Sequence, residues 1–169
     1  MRPDDIPGVV AIESQVSDRP WSAALFEAEL GQDDRRYFTA HSGGPAPQEL
    51  LGFAGVMLAV DEAHITTVAV APVVQRRRVG TRLMGALMVS AIELGAVAAT
   101  LEVRAANLAA QRLYGTFGFA PVGVRPGYYS ASGEDAIIMW AHDITTSDYQ
   151  QRLQSRQEGL AELVGEDAR

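Results

Sequence analysis

Three consecutive arginines, Arg76, Arg77 and Arg78, stand between an apolar run and the segment that begins at Val79, with Arg82 one turn on. The order Val68-Ala69-Val70, Pro72, arginines, Val79-Gly80-Thr81 reads as a buried strand, a sharp exit, a polar turn and a helix start. The first amides of a helix lack intrahelical acceptors and lie at the positive end of its macrodipole, so this arrangement suits an anion. The arginines concentrate positive charge in a chain whose net charge is -7. Such a local excess fits a specific phosphate better than an extended polyanion. An arginine run taken alone reads as a solvated turn; the strand before it and the helix after it favour the phosphate.

Two side chains are placed to move protons. Glu102 interrupts the apolar pair Leu101 and Val103 in a segment that reads as a central strand, where a free carboxylate is costly. It is either a strand-end acid paired with Arg104 or another arginine, or a general base made more basic by partial burial. Tyr114, twelve residues on, is either a half-buried core tyrosine or a proton donor to a leaving group. Residue pattern alone leaves both choices open. His41, His64 and His142 are far apart without ligand spacing, and there is no cysteine. No metal site is therefore expected, and neither thiolate catalysis nor a disulfide framework is available.

These residues need a scaffold, and 169 residues with 47% hydrophobic content make one domain with a full core. Asp4-Asp5-Ile6-Pro7 offers a helix cap and a first-turn proline, with Val9, Val10, Ile12, Glu13 and Val16 following as a short amphipathic helix. Met1-Arg2-Pro3 leaves little room for a strand before it. Ser22 caps a second helix through Leu30, stopped by Gly31. Trp21, at the break, is a core anchor or a groove-lining aromatic. Arg36 to Ala40 reads as a strand, residues 42–47 as a loop, and Leu50 to Val60 with Ala63 to Val70 as a hairpin. A helix then runs from Val79 to a stop at Gly95, its methionines filling core. Ala98 to Arg104 is a strand, Asn107 caps a short helix ending at Gly118, and Phe119 to Val124 and Ala136 to Ala141 are strands joined by a connection over 125–133. Past Ile144 the chain turns polar, with a thin stripe of Tyr149, Leu153, Leu160 and Leu163. The whole is an α+β layer of helices on a mixed sheet.

Several stretches resemble the GNAT acetyltransferase superfamily. Gln75-Arg76-Arg77-Arg78-Val79-Gly80-Thr81 is similar to its pyrophosphate loop, and Leu101 to Ala110 with Leu113-Tyr114 and Gly118-Phe119 is similar to its RimI-type branch. Tyr128-Tyr129, Glu134 to Met139, Pro20-Trp21-Ser22 and Asp61-Glu62-Ala63 extend the likeness over about residues 4 to 141. The resemblance implies a single domain over 1–144 with a mixed, mostly antiparallel central sheet flanked by helices; the polar tail over 145–169, marginally helical or disordered by its composition, has no counterpart in it. It implies acetyl-CoA as cosubstrate, held by Val68, Ala69 and Val70 along the pantetheine arm, by Arg76, Arg77, Arg78, Val79, Gly80 and Thr81 around the pyrophosphate, and by Asn107. Glu102 becomes the base, acting through water, and Tyr114 the acid. Trp21, Tyr128 and Tyr129 line the groove for the substrate, the N-terminal alanine of a ribosomal protein. Arg78 departs from the pattern, standing where the family has glycine, so a positive φ there would be costly.

An α-amine, with a pKa of about 7.7–8.0, needs only modest base assistance near pH 7, whereas a lysine amine at about 10.4 needs far more. Other N-termini, lysine or a small amine are the alternative acceptors; a non-catalytic acetyl-CoA-binding module is the alternative class. The acidic balance argues against nucleic acid as a partner. No apolar run has the length of a membrane span, and the first residues do not begin a signal peptide, so a cytoplasmic protein is expected.

Overall fold

The computed structural model describes residues 1–43 and 48–166, with side chains as far as 159. In chain order the elements are a 3-10 turn Pro3–Asp5, α1 Ile6–Val16, α2 Ala23–Leu30, β1 Arg35–His41, β2 Leu50–Ala59, β3 Glu62–Val70, a second 3-10 turn Pro72–Val74, α3 Val79–Glu93, β4 Ala98–Arg104, α4 Leu108–Gly115, β5 Ala120–Tyr129, β6 Glu134–Ala141 and α5 Ser147–Glu166. The six strands form one sheet in the order β1-β2-β3-β4-β6-β5, antiparallel throughout except where β4 lies parallel to β3. That parallel pair requires a crossover, which α3 supplies.

Local chemistry sets the helix ends. The Ser22 hydroxyl accepts from the Leu25 N–H at 3.3 Å, and Asn107 Oδ1 accepts from the Ala110 N–H at 3.0 Å. Each satisfies an amide that would otherwise lack a partner. Gly95 and Gly118 take φ of 95° and 86° just beyond α3 and α4, the left-handed conformation that glycine adopts without a Cβ clash. Asp5 does not cap α1: its Oδ2 accepts instead from the Arg2 N–H at 2.7 Å and from Thr39 Oγ1 at 3.3 Å, tying the N-terminus to β1.

Apolar residues pack on both faces of the sheet. On one, Val9, Ile12, Phe26 and Phe53 close the layer under α1 and α2. On the other, Leu83, Met84, Leu87 and Met88 of α3 meet Val56, Leu101 and Met139. A fully buried side chain of this kind contributes about 1.5–3 kcal/mol over an exposed one. Tyr149 and Leu153 of α5 join the second layer, with Tyr149 Oη donating to the Phe117 carbonyl at 2.9 Å. The rest of the expected α5 stripe, Leu160 and Leu163, lies outside the described side chains, as do residues 44–47 of the expected loop.

The feature that makes a site is a split between β3 and β4. They pair only from Glu62 to His64 against Ala98 to Thr100. Beyond that, among the described residues β3 is paired with β2 alone and β4 with β6 alone. A bulge helps to turn β3 away: Gly55 opposes Thr67 and Val56 opposes Ile65, leaving Thr66 as the extra residue. Gly55 is required here, because a Cβ would overlap the Tyr37 ring and Thr66 Oγ1.

Candidate active site

The split opens into a cleft of about 390 Å³ walled by the diverging strands β3 and β4 and roofed by the α1–α2 connection and the end of β5. Glu102 projects into it because β4 alternates, Leu101 and Val103 being buried in the core on the opposite face. Its side chain is only 8% exposed, and both oxygens are engaged. Arg125 Nη2 lies 3.1 Å from Oε1 and His64 Nε2 lies 3.2 Å from Oε2. The arginine partner is thus Arg125 of β5, not Arg104.

Tyr114 reaches the same cleft from the last turn of α4, 8% exposed against Phe119. Burial, with a smaller contribution from Tyr129, pushes its phenol up to about 12, which keeps the proton available for donation. Among the described residues no hydrogen bond occupies its hydroxyl. Burial also raises the phenol of Tyr129, opposed by Arg104.

Arg104 organises the roof. Its guanidinium lies 4.0 Å from the centre of the Tyr129 ring, pairs with Asp18 of the α1–α2 connection at 2.7 Å, and with Glu134 at 3.0 Å. The Ala106 N–H and then Arg104 hold the Glu134 carboxyl below its usual range. Glu13 is buried on α1; burial, the larger effect, raises its carboxyl above the usual range, opposed by the Trp21 backbone and the Ser17 side chain. Trp21 combines its two sequence readings, packing 5.4 Å from Phe26 while lining the cleft. Tyr128, more exposed, stands edge-on to Tyr129 at 5.2 Å.

The arginine turn sits where β3 leaves the split. Arg76 and Arg78 both have left-handed backbones, φ 64° and 61°, so the positive φ expected to be costly at Arg78 is adopted there and again at Arg76. The N–H groups of Val79, Gly80 and Thr81 precede the first helical bond of α3, from Arg82 N to the Arg78 carbonyl at 3.1 Å. Arg76, Arg77, Arg78 and Arg82 are exposed, and among the described residues none has a carboxylate partner. Gly80 is hemmed in, since a Cβ there would stand 3.3 Å from Leu113 Cδ2. Arg78 and Thr81 also border a second basin of about 540 Å³ with Arg112 of α4 and Arg156 of α5.

Of the residues singled out from sequence, Glu102, Tyr114, Trp21, Tyr128, Tyr129, Val68, Ala69 and Asn107 line one cleft. Val70 and the loop from Arg76 to Thr81 lie outside its lining, at the end of β3, and Asn107 also caps α4. His64, Arg125 and Glu13 escape the sequence reading, because long-range pairings bring them in. The segment expected as a connection over 125–133 is corrected too: β5 runs on to Tyr129, with register shifts absorbing Pro126 and Gly127, and this delivers Arg125 to Glu102. Among the described residues no cluster of His, Asp and Glu is placed to hold a metal ion, and no helix is long and apolar enough to cross a membrane.

Residues 7–119 match the acetyltransferase (GNAT) family. The chain is 37% identical over 137 residues to the [ribosomal protein bS18]-alanine N-acetyltransferase of Salmonella typhimurium, covering 80% of this chain and 89% of that one. It is 40% identical over 128 residues to the N-alpha-acetyltransferase RimI of Mycobacterium tuberculosis, covering 73% and 77%. The crystal structure of the ribosomal-protein-S18-alanine N-acetyltransferase from Escherichia coli superposes with a TM-score of 0.73 at 32% identity, over 85% of this chain and 90% of that one. Split sheet, arginine turn and sequence likeness agree: the chain belongs to the GNAT acetyltransferase family and is an N-acetyltransferase.

Proposed function

We propose that this protein transfers the acetyl group of acetyl-CoA to the N-terminal α-amine of a protein, the alanine terminus of a ribosomal protein being its substrate. The observation that carries the reading is the split between β3 and β4, which gathers a buried carboxylate and a phenol on one cleft beside an arginine turn that has no carboxylate partner among the described residues. Relatives named for bS18-alanine N-acetylation support the substrate. That substrate makes the cytoplasm the place of action. Residues 1–144 then form the transferase unit, and 145–169 an appended segment whose helix packs on it.

The residues present fit acetyl-CoA. From Ile65 to Val70, β3 has a strand on one side only, an edge suited to an extended amide-bearing arm through Val68, Ala69 and Val70. The free amides of Val79 to Thr81 and the guanidiniums of Arg76, Arg77 and Arg78 suit a pyrophosphate, and Asn107 borders the cleft between. Bound there, acetyl-CoA supplies a thioester carbonyl open to an amine. Glu102 takes the amine proton, directly or through a water, while Arg125 and His64 fix its orientation. Tyr114 holds its proton to high pH and gives it to the departing sulfur. Trp21, Tyr128 and Tyr129 position the peptide, so that proximity to the thioester supplies much of the acceleration. No covalent enzyme intermediate is required.

The test is kinetic. Glu102→Gln and Tyr114→Phe each lower kcat by about a hundredfold or more while calorimetric affinity for CoA stays at the wild-type value. Wild-type turnover in Glu102→Gln removes the base; in Tyr114→Phe it removes the acid.

A further inference from the structure

Glu102 has to be emptied after every transfer, and its surroundings leave one route. An amine arriving as its ammonium sheds two protons on becoming an amide N–H. In the proposed reaction, on which this inference rests, the C–N bond forms, the C–S bond breaks and Tyr114 gives one proton to sulfur. One of the two protons shed by nitrogen balances the one lost by Tyr114. The other has to reach solvent, past a carboxylate whose side chain is 8% exposed.

Among the described residues, two groups touch that carboxylate. Arg125, at Oε1, has only donors and accepts no proton. His64, at Oε2, has a ring that takes a proton at one nitrogen while giving one up from the other. It is the last β3 residue paired with β4, opposite Thr100, and so stands at the apex of the split. Its side chain is 31% exposed, bridging buried carboxylate and water. The other charged groups lining the cleft offer no competing path. Arg19 and Arg104 cannot accept a proton, and among the described residues no hydrogen bond or ion pair joins Glu13 to Glu102, whose oxygens face His64 and Arg125.

We infer that His64 is the proton exit of the site: as its Nδ1–H tautomer it takes the proton from Glu102 Oε2 at Nε2 and releases the one on Nδ1 to water. This leaves Nε2–H donating to ionised Glu102 until proton exchange with solvent returns the ring to its starting tautomer. Its loss slows the resetting of Glu102 without touching the acetyl donor.

His64→Gln keeps an N–H donor toward Glu102 but carries no proton, and His64→Ala leaves room for a free ring. Both are expected to lower kcat by about tenfold or more with CoA affinity unchanged, and imidazole added to the buffer restores turnover in His64→Ala. Wild-type turnover in His64→Gln overturns the inference, as does a loss in His64→Ala that imidazole fails to restore, the mark of a residue that only positions Glu102. Glu102→Gln, measured alongside, separates the two levels. If it is inactive while His64→Gln is unaffected, only the exit is wrong; if it retains full turnover, the base and its exit fall together.

Discussion

Replacing Arg78 by glycine separates backbone strain from charge in the arginine turn. Arg78 holds φ 61° and ψ 11° at the head of α3, a conformation costing a non-glycine residue about 1–2 kcal/mol. Glycine removes that cost but gives the unfolded chain about 0.4–1 kcal/mol of extra entropy. The difference predicts a protein more stable by about 0.5–1 kcal/mol, raising Tm by about 1–4 °C in a chain of this size. The same change deletes an exposed guanidinium facing the proposed pyrophosphate. Such a charge contributes at most about 1 kcal/mol, equivalent to about a fivefold weaker Kd for CoA. Thermal unfolding without ligand and calorimetric titration with CoA read the two effects independently. Arg78→Ala serves as the control, sharing the affinity loss but not the rise in Tm. A glycine variant that melts below wild type refutes the strain argument. One that binds CoA more tightly shows the arginine obstructing the turn it was proposed to serve.

Two further outcomes follow from buried tyrosines. Tyr149→Phe removes the hydrogen bond that ties α5 to the Phe117 carbonyl and should lower stability by about 0.5–1.5 kcal/mol, seen as a lower urea midpoint at unchanged m-value. Alkaline pH should destabilise the fold through Tyr114, whose phenol burial pushes up to about 12. Below pH 10 it is protonated in both states and contributes no slope; between about 10 and 12 the unfolded chain ionises while the folded one does not. Stability then falls by up to about 1.4 kcal/mol per pH unit from this group. Urea unfolding at pH 10 to 11 should show a shallower decline in Tyr114→Phe, and equal slopes contradict the assignment.

What could be read from sequence was what depends on near neighbours. The Ser22 and Asn107 caps, the glycine stops after α3 and α4, and the alternation that turns Glu102 away from Leu101 and Val103 are all decided within a few residues. The partners of Glu102 were not. Arg104 is nearest in sequence, yet it is drawn to Asp18 and Glu134, while Arg125 and His64 arrive from β5 and β3. Those contacts depend on where the β3–β4 pairing ends and on register shifts in β5, neither of which has a local signature. Pro126 and Gly127 pointed to a loop because they break an isolated strand; on an edge strand with an irregular register they are tolerated. Asp5 looked like a cap, but a β1 partner, Thr39, competes for its carboxylate. Arg78 was the opposite case. The glycine that the resembling family has at that position signals a positive φ, and the backbone adopts it with arginine in place.

The most direct measurement is acetyl transfer from acetyl-CoA by the purified protein, read by fragment mass spectrometry on two peptides. One begins with a free alanine and contains an internal lysine; the other is identical but blocked at its N-terminus. The account predicts one acetyl group on the alanine nitrogen of the first peptide and none on the second. Acetylation of the internal lysine in the blocked peptide, at a rate matching the free one, contradicts it.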